Sequence, residues 1–213
     1  MVAIEFHRVR PGTARGGVSA RKQARKEAAR VIAKKAIQSL PPQTLVAFTD
    51  GSANPNPGPS GAGAFLYSTS PGDSCHLEAT AALGEGTHNL GEIWAIGMAA
   101  QMALEHISSH DHNTYTHFQL FTDSMLARSC VLGEWKSAKY GPLVEAVASA
   151  LRRLSAFVTV NVDWVPAHVG IDSNEHADFL AGRGTLLSQA GRINVNTAED
   201  YKTGAFVPSG ALV

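Results

Sequence analysis

The chain has 213 residues, of which 44% are hydrophobic, and its 18 Lys and Arg residues balance its 18 Asp and Glu residues. This length suits one domain of average size with additional arms, and the apolar content is sufficient for a core. Because no run of about 18 apolar residues occurs, the sequence excludes a membrane-spanning helix. The two cysteines, Cys75 and Cys130, make neither a disulfide framework nor a zinc-binding pattern, which favours a reducing, intracellular setting.

Basic and acidic residues are unevenly distributed along the chain. Residues 1–40 contain ten Lys and Arg against two Asp and Glu, a net charge of +8, whereas the remainder contains eight against sixteen, a net charge of −8. We therefore interpret residues 1–43 as a basic arm, with a flexible stretch at 11–17 and a helix over 20–40 that two prolines end. Such an arm suits non-specific contact with phosphates. The alternatives are a solvated linker helix and a targeting peptide.

The body is predicted over residues 44–190, and its first half contains three strands and a helix. Extended runs at 45–49, 62–67 and 76–83 predict an antiparallel meander. Asp50 directly follows the first run and precedes a loop rich in Gly, Asn and Pro; alternatively, Asp50-Gly51 is only a hairpin signal. Apolar residues at three- and four-residue spacing predict a helix over 90–109, with Asn89 as its cap. Glu92, in the first turn, could simply complement the helix dipole.

The second half alternates strands and helices. A strand over 117–122 ends at Asp123, which could also cap the following helix at 124–132. After a linker come a helix at 142–154 and a β-branched strand at 157–164. His168 lies in the next loop, and a final helix capped by Ser173 or Asn174 carries Asp178 in about its second turn. Residues 191–213 are interpreted as a tail. This order predicts an α/β protein, with a mixed sheet and helices on its faces.

Four acidic residues stand at special places in these elements. If the strands before Asp50 and Asp123 are parallel neighbours, both carboxylates emerge at one sheet edge, where α/β proteins place their sites. Glu92 and Asp178 come from early turns of helices. Four converging carboxylates repel one another unless divalent cations lie among them. Oxygen ligands select Mg²⁺ or Mn²⁺, and two such ions form a clamp for phosphodiester hydrolysis.

Residues 44–187 resemble the ribonuclease H family in four segments, which occur in the family's order and with its spacing: FTDGSANPNPGPSGAG, NLGEIWAI, LFTDS and VDWVPAHVGIDSNEHADFLA. The resemblance implies a ribonuclease H-like fold with a five-stranded mixed sheet, three strands antiparallel and two parallel, between helices on both faces. It implies endonucleolytic cleavage of the RNA strand of RNA–DNA hybrids with two Mg²⁺, which Mn²⁺ can replace. The wording of the last segment is most similar to domains attached to retrotransposon reverse transcriptases, so a covalently linked reverse transcriptase is a further expected partner.

The resemblance also implies roles for individual residues. Asp50 would contact both metal ions, Asp178 would complete the site of the attacking water, and Glu92 and Asp123 would complete the leaving-group site. His168 would assist proton transfer or product release; read from the residues alone, it could be a loop histidine without such a role. Positions expected along the hybrid are Gly51, Ser52, Ala53, Asn56, His88, Asn89, Ser124 and Met125.

The sequence departs from the family's pattern at three points. Amide side chains are usual where His88 and Met125 stand, and Met125 cannot donate a hydrogen bond to a base. The long basic segment that some members use to hold substrate is missing, because residues 133–141 carry only Lys136 and Lys139. The basic arm is expected to compensate. Two alternative functions stay open: an inactive domain of the same fold serving as a binding module, and a related two-metal nuclease or strand-transfer enzyme.

Overall fold

A computed structural model describes residues 18–109 and 114–208, and the predicted flexible stretch at 11–17 lies outside them. The elements run in the order α1 (Val18–Gln38), β1 (Thr44–Ala53), β2 (Gly58–Ser68), β3 (His76–Gly86), α2 (His88–Ser108), β4 (His117–Thr122), α3 (Met125–Val131), α4 (Gly141–Leu154), β5 (Thr159–Trp164), α5 (Asp172–Gln189) and α6 (Asp200–Thr203). Among the described residues, none of the helices combines the length and apolar character needed to cross a membrane.

The five strands form one mixed sheet in the order β3-β2-β1-β4-β5. β1 pairs antiparallel with β2, and β2 pairs antiparallel with β3. β1 also pairs in parallel with β4, which pairs in parallel with β5. The predicted architecture, three antiparallel strands followed by two parallel ones, is therefore confirmed.

Alternate residues of the central strand face two different hydrophobic clusters. Leu45 and Ala47 pack in the larger cluster, which contains the buried residues of α2 and α4. Val46 and Phe48 pack in a smaller cluster with Ala33 of α1 and Ala177 of α5. Because successive side chains of a strand point to opposite faces, this alternation places α2 and α4 on one face of the sheet and α1 and α5 on the other.

The strand that contains Asp50 is longer than the sequence predicts. Asp50 to Ala53 continue β1 and pair with Gly63 to Ser60 of β2, so Asp50 lies within a strand and not at its end. On its other side, β1 pairs with β4 only as far as Thr49, opposite Thr122. Asp50 is thus the first residue of β1 beyond the parallel pairing. Asp50 therefore lies at an unpaired edge of the sheet, as expected. The edge arises because β4 ends at Thr122, and not because β1 ends at Asp50.

Helix caps are the other details in which the sequence interpretation was wrong. Thr87, and not Asn89, caps α2, because its Oγ1 accepts a hydrogen bond from the Leu90 backbone N–H at 3.3 Å. Ser124, and not Asp123, caps α3 by accepting from the Ala127 N–H at 3.2 Å. The N-cap position of α5 is Ile171, so the two residues proposed as caps lie inside that helix.

Part of the segment interpreted as a tail packs against the body. Phe206 is fully buried, and its ring lies edge-on to Trp94 of α2 at 5.5 Å between ring centroids. The Trp94 indole N–H donates to the Phe206 carbonyl at 2.9 Å, and Gln101 Oε1 accepts from the backbone N–H groups of Phe206 and Val207. The segment therefore supports the back of α2, the helix that carries Glu92.

Candidate active site

Three of the predicted acidic residues meet at the sheet edge. One carboxylate oxygen from each of Asp50, Glu92 and Asp123 lies within 4.8 Å of the other two. Asp50 and Glu92 are buried, and Asp123 is half-buried. The residues come from β1, α2 and the position directly after β4, so the fold brings together side chains that are far apart in the sequence.

Glycine residues in the strands allow the helices on both faces of the sheet to bring their acidic residues close to Asp50. A Cβ at Gly51, directly after Asp50, would lie 2.0 Å from the Glu92 backbone nitrogen. A Cβ at Gly63, the β2 partner of Asp50, would lie 2.4 Å from the Ala177 carbonyl oxygen, one residue before Asp178. Only a residue without a side chain lets α2 and α5 approach the strands this closely. The glycines thus position two of the four acids.

Burial and mutual repulsion disfavour the charged forms of these acids. Desolvation, and then the charges of Asp123 and Asp178, raise the pKa of Asp50 to about 8. Desolvation and the Asp50 charge raise the pKa of Glu92 well above its usual value. Burial also raises the pKa of Asp123, although a hydrogen bond from Asn174 acts in the opposite direction. Groups whose environment penalises their charge in this way are typical of functional sites.

Asp178 and His168 lie on the open side of this cluster. Asp178 is half-exposed on α5 and approaches Asp50 closely enough to raise its pKa. His168 lies on the loop before α5 with its ring largely exposed, and its Nδ1 is 3.9 Å from Asp178 Oδ2. Its backbone φ of 51° falls in the left-handed region, which is uncommon for a residue other than glycine. The structure therefore brings all five predicted catalytic residues to one place.

Asn174 is a member of the site that sequence reasoning missed. It was considered only as a helix cap, yet it is 2% exposed and its Nδ2 donates to Asp123 Oδ2 at 3.1 Å. Asn174 and Asp178 are four residues apart on α5 and hence share a helix face. That spacing is the signal that could have identified Asn174, because a helix face that presents Asp178 to the site also presents Asn174.

The residues expected along a substrate lie on, or directly beside, the elements that carry the carboxylates. Gly51, Ser52 and Ala53 are the half-buried last residues of β1. Asn56 and His88 contact each other through Asn56 Nδ2 and His88 Nδ1, and the His88 backbone N–H donates to Asn56 Oδ1 at 3.3 Å. Asn89 follows in the first turn of α2. Ser124 and Met125 begin α3 directly after Asp123, and Met125 is 43% exposed.

The chemistry of the cluster fits a hard divalent cation. Its ligands are carboxylate oxygens, which Mg²⁺ and Mn²⁺ prefer. Glu92 Oε2 is buried and has no hydrogen-bond partner among the described residues. A buried oxygen without a partner is costly, and a bound cation would satisfy it. A cation would also offset the repulsion that raises the pKa of Asp50 and Glu92.

Comparison with protein families and curated proteins gives consistent matches. A family model described as RNase H matches residues 42–185. Ribonuclease H of Bradyrhizobium sp. (strain ORS 278) is 33% identical over 153 residues, which cover 67% of this chain and 90% of the bacterial protein. Ribonuclease H of Jannaschia sp. (strain CCS1) is 31% identical over 159 residues, which cover 70% and 95% of the two chains.

Solved structures share the fold. RNase H1 from the halophilic archaeon Halobacterium salinarum NRC-1 is 26% identical with a TM-score of 0.51, and the match covers 66% of this chain and 96% of the archaeal one. LC11-RNase H1 in complex with an RNA/DNA hybrid is 22% identical with a TM-score of 0.52, covering 65% and 94% of the two chains. Because the LC11 protein is only 22% identical, its similarity supports the shared fold alone.

Proposed function

Because the chain belongs to the ribonuclease H family, we propose that it is an endonuclease that hydrolyses the RNA strand of RNA–DNA hybrids. The observation that carries the proposal is the convergence of Asp50, Glu92 and Asp123 within 4.8 Å at an open sheet edge. Such a group of partly buried acids is unfavourable by itself and becomes favourable around divalent cations. Phosphodiester hydrolysis is the reaction that carboxylate-held divalent ions suit best.

The proposed cofactors are two Mg²⁺ ions, with Mn²⁺ as a substitute. Asp50, Glu92, Asp123 and Asp178 would hold them, because these residues offer only oxygen ligands and include the unpartnered Glu92 Oε2. When bound, such ions supply a water-derived nucleophile and neutralise charge on the phosphate and the leaving oxygen.

The residues around the carboxylates have roles that follow from their chemistry. His168, 3.9 Å from Asp178 and exposed to solvent, can hold or release a proton at Nδ1 beside the site. Backbone groups of Gly51, Ser52 and Ala53, beside Asp50 in β1, would contact 2′-hydroxyls, the groups that distinguish RNA from DNA. Further contacts with the hybrid are assigned to residues around the carboxylates: Asn56, His88, Asn89, Ser124 and Met125.

Cleavage of defined substrates tests the proposal. We would incubate the full chain and Mg²⁺ with an RNA–DNA hybrid carrying uniformly labelled RNA, and in parallel with single-stranded RNA, double-stranded RNA and double-stranded DNA. We expect internal cleavage of RNA in the hybrid only, and no cleavage in the presence of a chelator. Uncleaved hybrid at every Mg²⁺ and Mn²⁺ concentration would support the alternative of an inactive binding module. Cleavage of double-stranded DNA would support the related nuclease.

A role in reverse transcription of a retroelement, with a linked reverse transcriptase, stays a prediction from the wording of the VDWVPAHVGIDSNEHADFLA segment. It is tested by determining which coding sequence flanks that of residues 1–213. A reverse transcriptase reading frame continuous with this chain is the expected result.

A further inference from the structure

The most basic element of the described chain is α1. Its 21 residues contain seven Lys and Arg and a single acidic residue, Glu27. The residues after position 40 carry a net charge of −8, and the carboxylate cluster adds to the repulsion that a nucleic acid would meet at the site. The positive charge of α1 therefore attracts a polyanionic substrate to the site most strongly if that helix is fixed close to it.

Packing fixes the C-terminal half of α1 to the body. Ala33 is 1% exposed and belongs to the cluster of Val46, Phe48, Phe121, Val165 and Ile171, against which Ile37 and Leu40 also pack. Ala33 and Ile37 are four residues apart and so share one face of the helix, and Leu40 follows directly after the helix end. The C-terminal half of α1 is therefore packed against the domain. It differs in this from the solvated linker helix that the sequence analysis gave as an alternative.

The direction of α1 relative to the sheet follows from its two ends. Ala36 and Leu40 line a cleft with Thr44, His117 and Thr159, the first residues of β1, β4 and β5. Nearer its N-terminus the helix reaches the opposite edge, because the Arg30 Cδ lies 3.9 Å from the position that a Cβ on Gly170 would occupy. Gly170 is two residues from His168. The helix thus lies antiparallel to β1, and its N-terminal end points toward the edge that carries Asp50 and Asp123.

Beyond that point the inner face of α1 changes from apolar to basic. Lys26 is seven residues before Ala33, about two turns, so it lies on the same face of the helix. At a rise of 1.5 Å per residue it is about 6 Å farther than Arg30 along the axis, on the side away from the docked end of the helix. Lys26 is exposed, whereas Arg30 is partly covered and pairs with Glu27 at 2.7 Å.

We propose that the segment of α1 up to Arg30 is a phosphate-binding surface for the duplex that enters the active site, with Lys26 and Arg30 as its contacts nearest to the carboxylates. This inference rests on the proposed function for the identity of the duplex, an RNA–DNA hybrid. Contacts of this kind are independent of sequence and release counterions, so they make affinity salt-dependent. They also supply, from the chain's N-terminal side, the cations that the short 133–141 segment lacks.

Binding measurements on charge variants test the proposal. In full-length protein with Asp50→Asn, which keeps the hybrid intact, we would measure the dissociation constant of a labelled hybrid against NaCl concentration. Lys26→Gln with Arg30→Gln should reduce the magnitude of the slope of the logarithm of the dissociation constant against log[salt] by about 1 to 2. Each phosphate contact contributes about 0.7 to 0.9 to that slope. The matched control is Lys34→Gln with Lys35→Gln, which removes two charges from the docked half and should leave the slope unchanged. Lys26→Arg with Arg30→Lys, which keeps both charges, should retain the original slope.

The outcomes separate this inference from the proposed function. Equal slopes for the two glutamine variants would overturn the phosphate-binding surface, even if the wild-type chain cleaves hybrid. A reduced slope for Lys26→Gln with Arg30→Gln supports the surface, even if the wild-type chain cleaves nothing. Thermal melting checks that each variant is folded under the conditions of the binding assay. A folded Lys26→Gln with Arg30→Gln protein with a reduced slope has lost phosphate contacts, whereas an unfolded protein would show a melting temperature below that of the assay.

Discussion

At the scale of single residues, Asn174 shows how a site depends on groups that do not themselves bind substrate. Its amide holds Asp123 Oδ2 at 3.1 Å, and its own Oδ1 is buried without a partner among the described residues. Asn174 also lowers the pKa of Asp123, opposing the effect of burial. This contact favours the charged form of Asp123 and restrains its orientation, which is the geometry expected of a positioning residue.

We predict that Asn174→Ala weakens metal-dependent activity by about 10-fold or more, since residues that orient ligand groups typically contribute 10- to 100-fold. The effect should appear as a higher Mg²⁺ concentration for half-maximal cleavage. A purely structural role would not change that concentration. Ser173→Ala, one residue earlier on the same helix, is the control. An unaltered Mg²⁺ dependence in Asn174→Ala would contradict the positioning role.

Asp50 is the residue on which the proposed chemistry depends most. It lies between Glu92, Asp123 and Asp178, and the charges of the latter two raise its pKa. We predict that Asp50→Asn lowers hybrid cleavage at least about 100-fold, because a neutral amide would be a much poorer ligand than a carboxylate for the proposed divalent cations. Far-UV circular dichroism should show an unchanged fold. Activity above about a hundredth of wild type would argue strongly against the metal-binding role.

At the scale of secondary structure, the contact between β1 and α2 is the one that delivers Glu92 to Asp50. We predict that Gly51→Ala strongly destabilises the protein and abolishes hybrid cleavage, since the new Cβ would lie 2.0 Å from the Glu92 nitrogen. Backbone atoms on both sides prevent a local adjustment. Chemical denaturation and the cleavage assay together measure the effect.

Gly182→Ala is the matched control for that substitution. Gly182 lies within α5, and an added Cβ there would meet no atom within 4 Å outside its own helix. Replacing a helical glycine by alanine should then stabilise the protein by about 0.5 to 1 kcal/mol. Equal effects of the two substitutions would contradict the close approach of α2 to β1.

How far the sequence predicts each element depends on the range of the contacts that define it. The strands at 62–67 and 117–122 and the helix at 142–154 show local periodicity, and the structure has an element at each place. Residues Asp50 to Ala53 have little strand propensity of their own and are held by pairing with β2, so the extension of β1 could not be read locally. The same holds for Thr87, whose capping role depends on where the α2 backbone begins.

The site was predictable to the extent that its residues stand at recognisable places in the chain. Asp50 and Asp123 stand where the pairing of β1 with β4 ends, and Glu92 and Asp178 stand in the second turns of α2 and α5. The structure brings Asp50, Glu92 and Asp123 within 4.8 Å of one another, and Asp178 lies close enough to raise the pKa of Asp50. Asn174 was missed because its partner, Asp123, is 51 residues away. The docking of α1 by Ala33 was likewise missed, since its partners lie on β1, β4 and the loop before α5.

At the scale of the whole molecule, the C-terminal segment links the back of α2 to the core. We predict that Phe206→Ala lowers the free energy of unfolding by about 3 to 5 kcal/mol, the cost of removing a fully buried aromatic ring. The ring also fills the space over Gly97, where a Cβ would lie 2.6 Å from it. Tyr201→Ala, at a half-buried position of the same segment, should cost clearly less. Equal losses in denaturant titrations would show that Phe206 has no special role.

The acidic cluster also sets how the stability of the metal-free protein responds to pH. The pKa of Asp50 is raised from 3.8 to about 8 in the folded state, so between these values the folded state binds more protons than the unfolded state. Stability contributed by this group is therefore present at low pH and is lost as the pH rises toward 8. Glu92, whose pKa is also raised in part by Asp50, changes stability in the same direction.

We therefore predict that, in the presence of a chelator, the free energy of unfolding of the wild-type chain falls more steeply between pH 5 and pH 8 than that of Asp50→Asn. The variant removes one of the repelling charges, and the comparison cancels titrations elsewhere in the chain. At pH 8, Mg²⁺ should stabilise the wild type in proportion to the logarithm of its concentration above the dissociation constant, because only the folded state gathers the ligands. The variant should gain much less. Parallel pH profiles for the two proteins, together with equal stabilisation by Mg²⁺, would mean that the carboxylates neither repel one another nor bind the ion together.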